Sequence, residues 1–386
     1  MKYLFRTFRR ELRRLTSRTV YLFAMIIVPL GCAIFFLTLL NEGLPMRSPT
    51  AIVDLDHSTL SRQITRELAS EQPISILEDC ESYSDALQAV REGRVFGFFV
   101  IPEDFERNTI GGRQPSISYY CNMTYFVPGT FVLKGFKTIA VTTTAGMVRM
   151  QLSAIGAPSP VTGALIQPVS FQLNGPGNPW TNYSYYLTPS FMIGVLALMI
   201  MLTTVFAITD EIKNRTAPIW LRKAGGSIIA AVSGKLLPQT VIFCIVGWCI
   251  MSLMYGFFLL PVAGNIWVLV ACMPLFVIAN QSLALLICSV IPNPRLAFSA
   301  VALTGILTFS FAGFSFPVES MYGAIGILSY IVPARHFFLM HINEVLWGAP
   351  LYYMRLEIIS LLLFPLAAIP VLPLLKRACK RQIYVP

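Results

Sequence analysis

Few residues in this chain have the types and spacings that do chemistry. Asp54, Asp56 and His57 stand close enough to suggest a metal or proton-transfer site, but an acidic turn capping the helix after Ser58 accounts for them more cheaply. The three histidines (His57, His336, His341) do not cluster, and neither a metal-ligand spacing nor a Ser/His/Asp or Cys/His arrangement is legible. Neither a catalytic residue nor a metal site is therefore expected. The chain has no phosphate loop of the form G-x-x-x-x-G-K-S/T. Its apolar runs carry almost no ionisable group in their middles; Lys235, Arg355 and Glu357 fall at ends. Proton-driven pumps need buried carboxylates or histidines as relays, and these are missing. If the chain moves cargo uphill, its energy must come from another subunit. A passive channel or a sensor would satisfy the same absences.

Cysteines offer one further possibility. Five of the eight (Cys32, Cys244, Cys249, Cys272, Cys288) sit in apolar runs as small hydrophobes, and Cys379 lies in a basic tail. Cys80 and Cys121 fall in a polar segment, where they can form a disulfide if that segment faces an oxidising compartment and their Cα atoms come within bridging distance.

The elements that position these residues follow from composition. Of 386 residues, 55% are hydrophobic and 12% charged, against about 25% charged in a soluble domain. Six runs approach the roughly twenty residues a bilayer requires: 20–40, 187–208, 236–259, 266–291, 296–316 and 356–375. Residues 1–18 form an amphipathic helix with Phe5, Phe8, Leu12 and Leu15 on one face, suited to the membrane interface with its arginines near lipid phosphates. Residues 19–40 are the first span. Residues 41–185 alternate strands and helices as a compact α/β domain, ending in a Pro/Gly/Asn-rich stretch from 156 to 180. Residues 186–386 hold spans two to six, with a Pro- and Gly-broken hairpin at about 317–355 that is re-entrant, interfacial or a seventh span. The expected fold is an α-helical integral membrane protein with an inserted extracytoplasmic α/β domain.

Orientation comes from the distribution of the net charge of +10. Six spans bring the N-terminus, the 209–235 loop, the 292–295 turn and the C-terminal tail to one side. Seventeen of the 29 basic residues fall there against three acids, Glu11, Asp210 and Glu211. The positive-inside bias makes that side cytoplasmic and puts the α/β domain outside.

On the cytoplasmic side the loop holding Asp210, Glu211, Arg215, Thr216, Ile219, Trp220 and Leu221 is the natural docking point for an energising subunit. Its three apolar residues can enter a partner's groove as a plug, or belong to a surface helix with Trp220 anchored in the interface. Ala300, Thr304, Thr308 and Ala312 recur every four residues on the fifth span, a small-residue stripe that lets a helix of the same subunit or of a second copy approach closely. Asn280, Gln281 and Ser282 suit interhelical hydrogen bonding or a polar path.

Several stretches resemble the ABC-2 type permeases, in the branch with a large periplasmic domain after the first span. They are Ala51-Ile-Val-Asp-Leu-Asp-His-Ser-Thr-Leu-Ser-Arg62, then Arg91-Glu-Gly-Arg-Val-Phe-Gly-Phe-Phe-Val-Ile-Pro-Glu-Asp-Phe105 and Gly234-Lys-Leu-Leu-Pro238. Gly313-Phe-Ser-Phe-Pro-Val-Glu-Ser-Met321 with Tyr330-Ile-Val-Pro333 is similar to the family's external hairpin, marked by Gly313, Phe316, Pro317 and Pro333. Members often carry Gly-Thr in the first cytoplasmic loop, where this chain has Arg215 before Thr216. The resemblance implies a half-transporter without its own nucleotide site, exporting a small or amphiphilic substrate. ATP and Mg would be bound by a separate cytoplasmic ABC ATPase, contacted by the N-terminal helix and the 209–226 loop. A second permease, identical or a paralogue, would complete the pathway, and the outer domain would meet a periplasmic adaptor and outer-membrane channel. Rival expectations are a transmembrane sensor with an extracytoplasmic ligand-binding domain, or a scaffold. A nucleic-acid partner is not expected.

Overall fold

The structure is a computed structural model describing residues 2–43, 46–113, 115–122, 124, 126–154, 177–178, 182–314 and 316–382. The chain divides into two compact units, Met1–Gly43 with Gly175–Pro386, and Leu44–Asn174. The Pro/Gly/Asn-rich stretch 156–180 lies outside the described residues except for 177–178.

Among the described residues of the first unit, helix α1 (Lys2–Ser17) precedes six helices long and apolar enough to cross a membrane: Thr19–Leu39, Tyr183–Lys213, Ile228–Phe257, Ile266–Val290, Pro294–Phe311 and Leu351–Arg381. Each overlaps one expected apolar run, and the second and sixth extend past theirs at both ends. The second is 31 residues long, about 46 Å at 1.5 Å per residue, against roughly 30 Å of hydrocarbon. Its excess carries Asp210 and Glu211 past the apolar run while keeping them helical. Pro189, Pro238, Pro274 and Pro365 lie inside span helices, where neighbouring helices protect the backbone groups that proline frees. The second and fourth spans are the most enclosed, packing on the fifth and sixth respectively. The first, fifth and sixth turn most of their surface outward. After the fifth span, Gly323–Ser329 and Pro333–Leu346 are bent at 82° to each other, an angle that suits a broken span or a re-entrant loop.

The second unit is a four-stranded sheet in the order β2-β1-β3-β4, with β1 (Ser48–Asp54) parallel to β2 (Ile74–Asp79) and β3 (Gly97–Ile101), and β4 (Ser118–Cys121) antiparallel to β3. Side chains alternate across the strands. Ile52, Phe99 and Ile101 meet helices α2 (Thr59–Ser70) and α5 (Phe126–Ala154), with Ile64, Leu68, Val132 and Ile139. Ala51, Val53 and Phe98 meet α3 (Tyr83–Arg91) through Ala86 and Ala89. Asp54 accepts the backbone N–H groups of Asp56 (3.1 Å) and His57 (3.0 Å) and the Ser61 hydroxyl (2.7 Å), while Ser58 caps α2 at Ser61 N (3.0 Å). The trio is spent on turn and cap geometry.

The disulfide expectation fails here. Cys80 and Cys121 are not bridged to each other. Cys80 follows β2 and bonds to Ile52 of β1, whereas Cys121 pairs with Gly97 of β3 on the opposite edge. Three strand spacings, about 14 Å, separate the two edges, twice the reach of a disulfide.

Candidate functional site

An ionic seam lies where α1, the end of the second span and the start of the third converge. Glu211 is 0% exposed, and Glu11 and Lys235 are each 1% exposed. Three charges leave water only because each has a partner. Lys235 Nζ donates to Glu11 Oε2 (2.6 Å) and to Glu211 Oε1 (3.0 Å), and lies 5.3 Å from the centroid of the Trp220 ring. Arg10 grips Glu211 through both terminal nitrogens, at 2.8 and 2.9 Å, the bidentate form in which guanidinium pairs are strongest. Arg14 bridges Glu211 and Asp210, and Arg18 reaches Asp210 at 2.8 Å. Burial works against the charge of Arg14, yet Glu211 and Asp210 beside it raise its pKa above the ordinary arginine value. Thr216 donates its hydroxyl to Glu211, and its N–H meets Glu211 O at 2.9 Å. One atom is left over: Glu11 Oε1 has no partner among the described residues.

The seam depends on close approach. A Cβ on Gly234 would sit 2.3 Å from Thr7 Oγ1 and 2.9 Å from Leu4 O, so only glycine lets α1 settle on the third span. One face of α1 is taken up by protein. Its Thr7–Glu11–Arg14 stripe faces protein, and Arg10, Arg14 and the following Arg18 pair with carboxylates. Phe5 and Leu12 are exposed, while Leu15 is buried.

The plug also needs correction. Trp220 and Leu221 lie on the short helix Ala217–Lys223 but point inward, packed with Val205, Ile208, Leu372, Leu375 and Cys379. Trp220 donates Nε1–H to Ala231 O at 3.2 Å. Ile219, 50% exposed, is the loop's outward apolar residue, flanked by exposed Arg215, Arg222 and Lys223. Arg215 takes a left-handed backbone at φ 56°, the conformation that the glycine of a Gly-Thr turn adopts freely.

The other singled-out residues lie away from the seam. Thr308 and Ala312 are buried on the fifth span, which packs on the second; Ala300 and Thr304 sit at the margin of that face, and the two threonines bond backwards to Thr304 O and Ala300 O. The stripe thus faces largely into its own subunit. The closest approach is made instead by Gly305, where a Cβ would meet Leu198 Cδ1 at 2.3 Å. Gln281 accepts from the Thr240 hydroxyl across the third and fourth spans (2.8 Å), while Asn280 and Ser282 bond within their own helix. In the hairpin, Gly313 ends the fifth span, Phe316 is exposed, Pro317 precedes the turn Val318–Ser320, and Pro333 opens a helix.

Reading the sequence picked out Asp210, Glu211 and Thr216 but missed Glu11, Arg10, Arg14 and Lys235 as their partners. The available signals were a lone acid within a helix of arginines and a lysine near the start of an apolar run, each in need of a counter-charge.

An apolar bundle with an ionic seam at one end has the make-up of a membrane transport subunit. The family model described as ABC-2 family transporter protein matches residues 19–372. The chain belongs to that family: it is a multi-pass permease component of an ABC transporter, a kind of subunit that lacks the ATPase motif and associates with an ABC ATPase. No curated protein matches it.

Proposed function

We propose that this permease exports a small or amphiphilic substrate, driven by ATP and Mg bound on a separate cytoplasmic ABC ATPase. The exposed face of the short helix, Arg215, Ile219, Arg222 and Lys223, together with α1, docks that ATPase. The supporting observation is the seam. Glu211 lies directly behind the short helix and is tied to α1 by Arg10 and Arg14 and to the third span by Lys235. A force applied to the loop is therefore delivered to α1 and two spans together, because the buried ion pairs cannot slip without stranding a charge.

In this proposal the termini are cytoplasmic and the α/β domain is extracytoplasmic, as the basic-residue bias favours. A second permease, identical or a paralogue, covers the outward surfaces of the first and fifth spans. The outer domain meets an adaptor leading to an outer-membrane channel.

The test is a mild-detergent pull-down of the tagged chain. A stoichiometric Walker-motif ATPase is expected with the wild type and lost with Ile219→Asp, with the melting temperature unchanged because Ile219 supports no core. A chain that purifies alone in several detergents, without associated ATPase activity, contradicts the proposal.

A further inference from the structure

Among the described residues, Arg335 is a buried cation without a counter-ion. It is 4% exposed, its side chain makes no ion pair or hydrogen bond there, and its Nε is sealed from solvent without an acceptor. Glu357 is engaged by the neighbouring residue: its Oε2 lies 2.5 Å from His336 Nδ1, whose ring in turn bonds Tyr330 O through Nε2 at 3.1 Å. Arg335 is left with the Tyr330 ring, 4.8 Å from its guanidinium carbon to the ring centroid. A ring face softens a buried charge but does not take up five N–H donors.

One feature of the backbone favours an anion at this place. Arg335 is the third residue of the helix Pro333–His341, whose N-terminus has no side-chain cap, so the positive end of the helix dipole adds to its charge, although Pro333 brings no N–H and the Arg335 N–H is taken by Val332 O at 3.1 Å. Gly313, at φ 88°, lies in ordinary contact with the guanidinium: a Cβ there would be 3.6 Å from Arg335 Nη1. The flank is apolar: Tyr322, Ile327, Tyr330 and Ile331 are all exposed on the adjoining turn and helix. A free anion would gain nothing from that flank. An anion carrying acyl chains would satisfy both halves, and tyrosines beside it are what a bilayer interface selects.

We propose that Arg335 and the Pro333 helix end form a binding site for the phosphate of an anionic phospholipid, its chains lying along the exposed apolar flank of the hairpin. The site stands independently of export or of ATPase docking.

The full chain, purified in mild detergent and exchanged through nanodiscs, would be examined by native mass spectrometry for retained lipid. Phosphatidylglycerol should be retained over phosphatidylcholine, and inorganic phosphate should not displace it. Arg335→Gln should weaken retention at least about tenfold, the scale of a lost charge-assisted hydrogen bond. Arg335→Lys should keep part of it, and Arg355→Gln, at an exposed cation stacked on Tyr352, should leave it intact. Equal retention of the two lipids by the wild type, displacement by inorganic phosphate, or full retention by Arg335→Gln would each overturn the proposal. Should Arg335→Gln fail to fold, the head-group comparison on the unaltered protein still decides.

Discussion

Lys235 and Arg335 are buried to nearly the same degree in the membrane unit, and each lies beside one aromatic ring, Trp220 and Tyr330 respectively. Their electrostatic surroundings are opposite. Lys235 meets two carboxylates, themselves held by arginines from another helix, whereas Arg335 meets none among the described residues. A buried charge with its partners in place is a fastener: separating the elements it joins strands an ion in low dielectric. A buried charge without a partner is a liability to the isolated fold, and holding it there makes physical sense when something outside the chain completes it. In the proposed function the first arrangement transmits motion, and in the proposed lipid site the second awaits a ligand.

The contrast is sharpest when each cation is removed. Lys235→Met leaves Glu11 and Glu211 facing each other without their shared cation and should cost about 3–5 kcal/mol, seen as a large fall in melting temperature in detergent. Arg335→Met removes an unpaired charge and should raise stability in lipid-stripped detergent by about 1–2 kcal/mol, a gain that anionic lipid diminishes by stabilising only the wild type. If both variants fell equally, the distinction between fastener and ligand site would be lost. A smaller effect is expected beside the seam. Arg215→Gly relieves a left-handed residue and should stabilise the chain by roughly 1 kcal/mol without altering the charges that face Glu211. Smallest of all, replacing Cys80 and Cys121 by serine should change the melting temperature negligibly, and both should alkylate without reductant after denaturation.

The sequence made some of this architecture plain and hid the rest. Apolar runs of twenty residues mark spans because the bilayer imposes that length on any helix. The ends of those helices were harder to see, since Asp210 to Lys213 continue the second span's hydrogen bonding after its hydropathy has fallen. Helical periodicity grouped Phe5, Phe8, Leu12 and Leu15, of which Leu15 is buried, but it describes one helix at a time. It could not show that Glu211, some two hundred residues away, would claim Arg10 and Arg14 before lipid phosphates did. Trp220 illustrates the same limit: a tryptophan flanked by basic residues suits an interface equally well whether its ring points outward or, as here, beneath its own helix. Whether Cys80 and Cys121 could meet depended on strand order, which no local pattern encodes.

Through the Glu211 seam, α1 and the second and third spans should behave as one unit, which amide hydrogen exchange on the purified chain, wild type against Glu211→Gln, would show. Neutralising Glu211 should strip protection from α1 and from the short helix Ala217–Lys223 together, while the α/β unit is unchanged. Full protection of α1 in Glu211→Gln would contradict it, because α1 would then be held by something other than the seam.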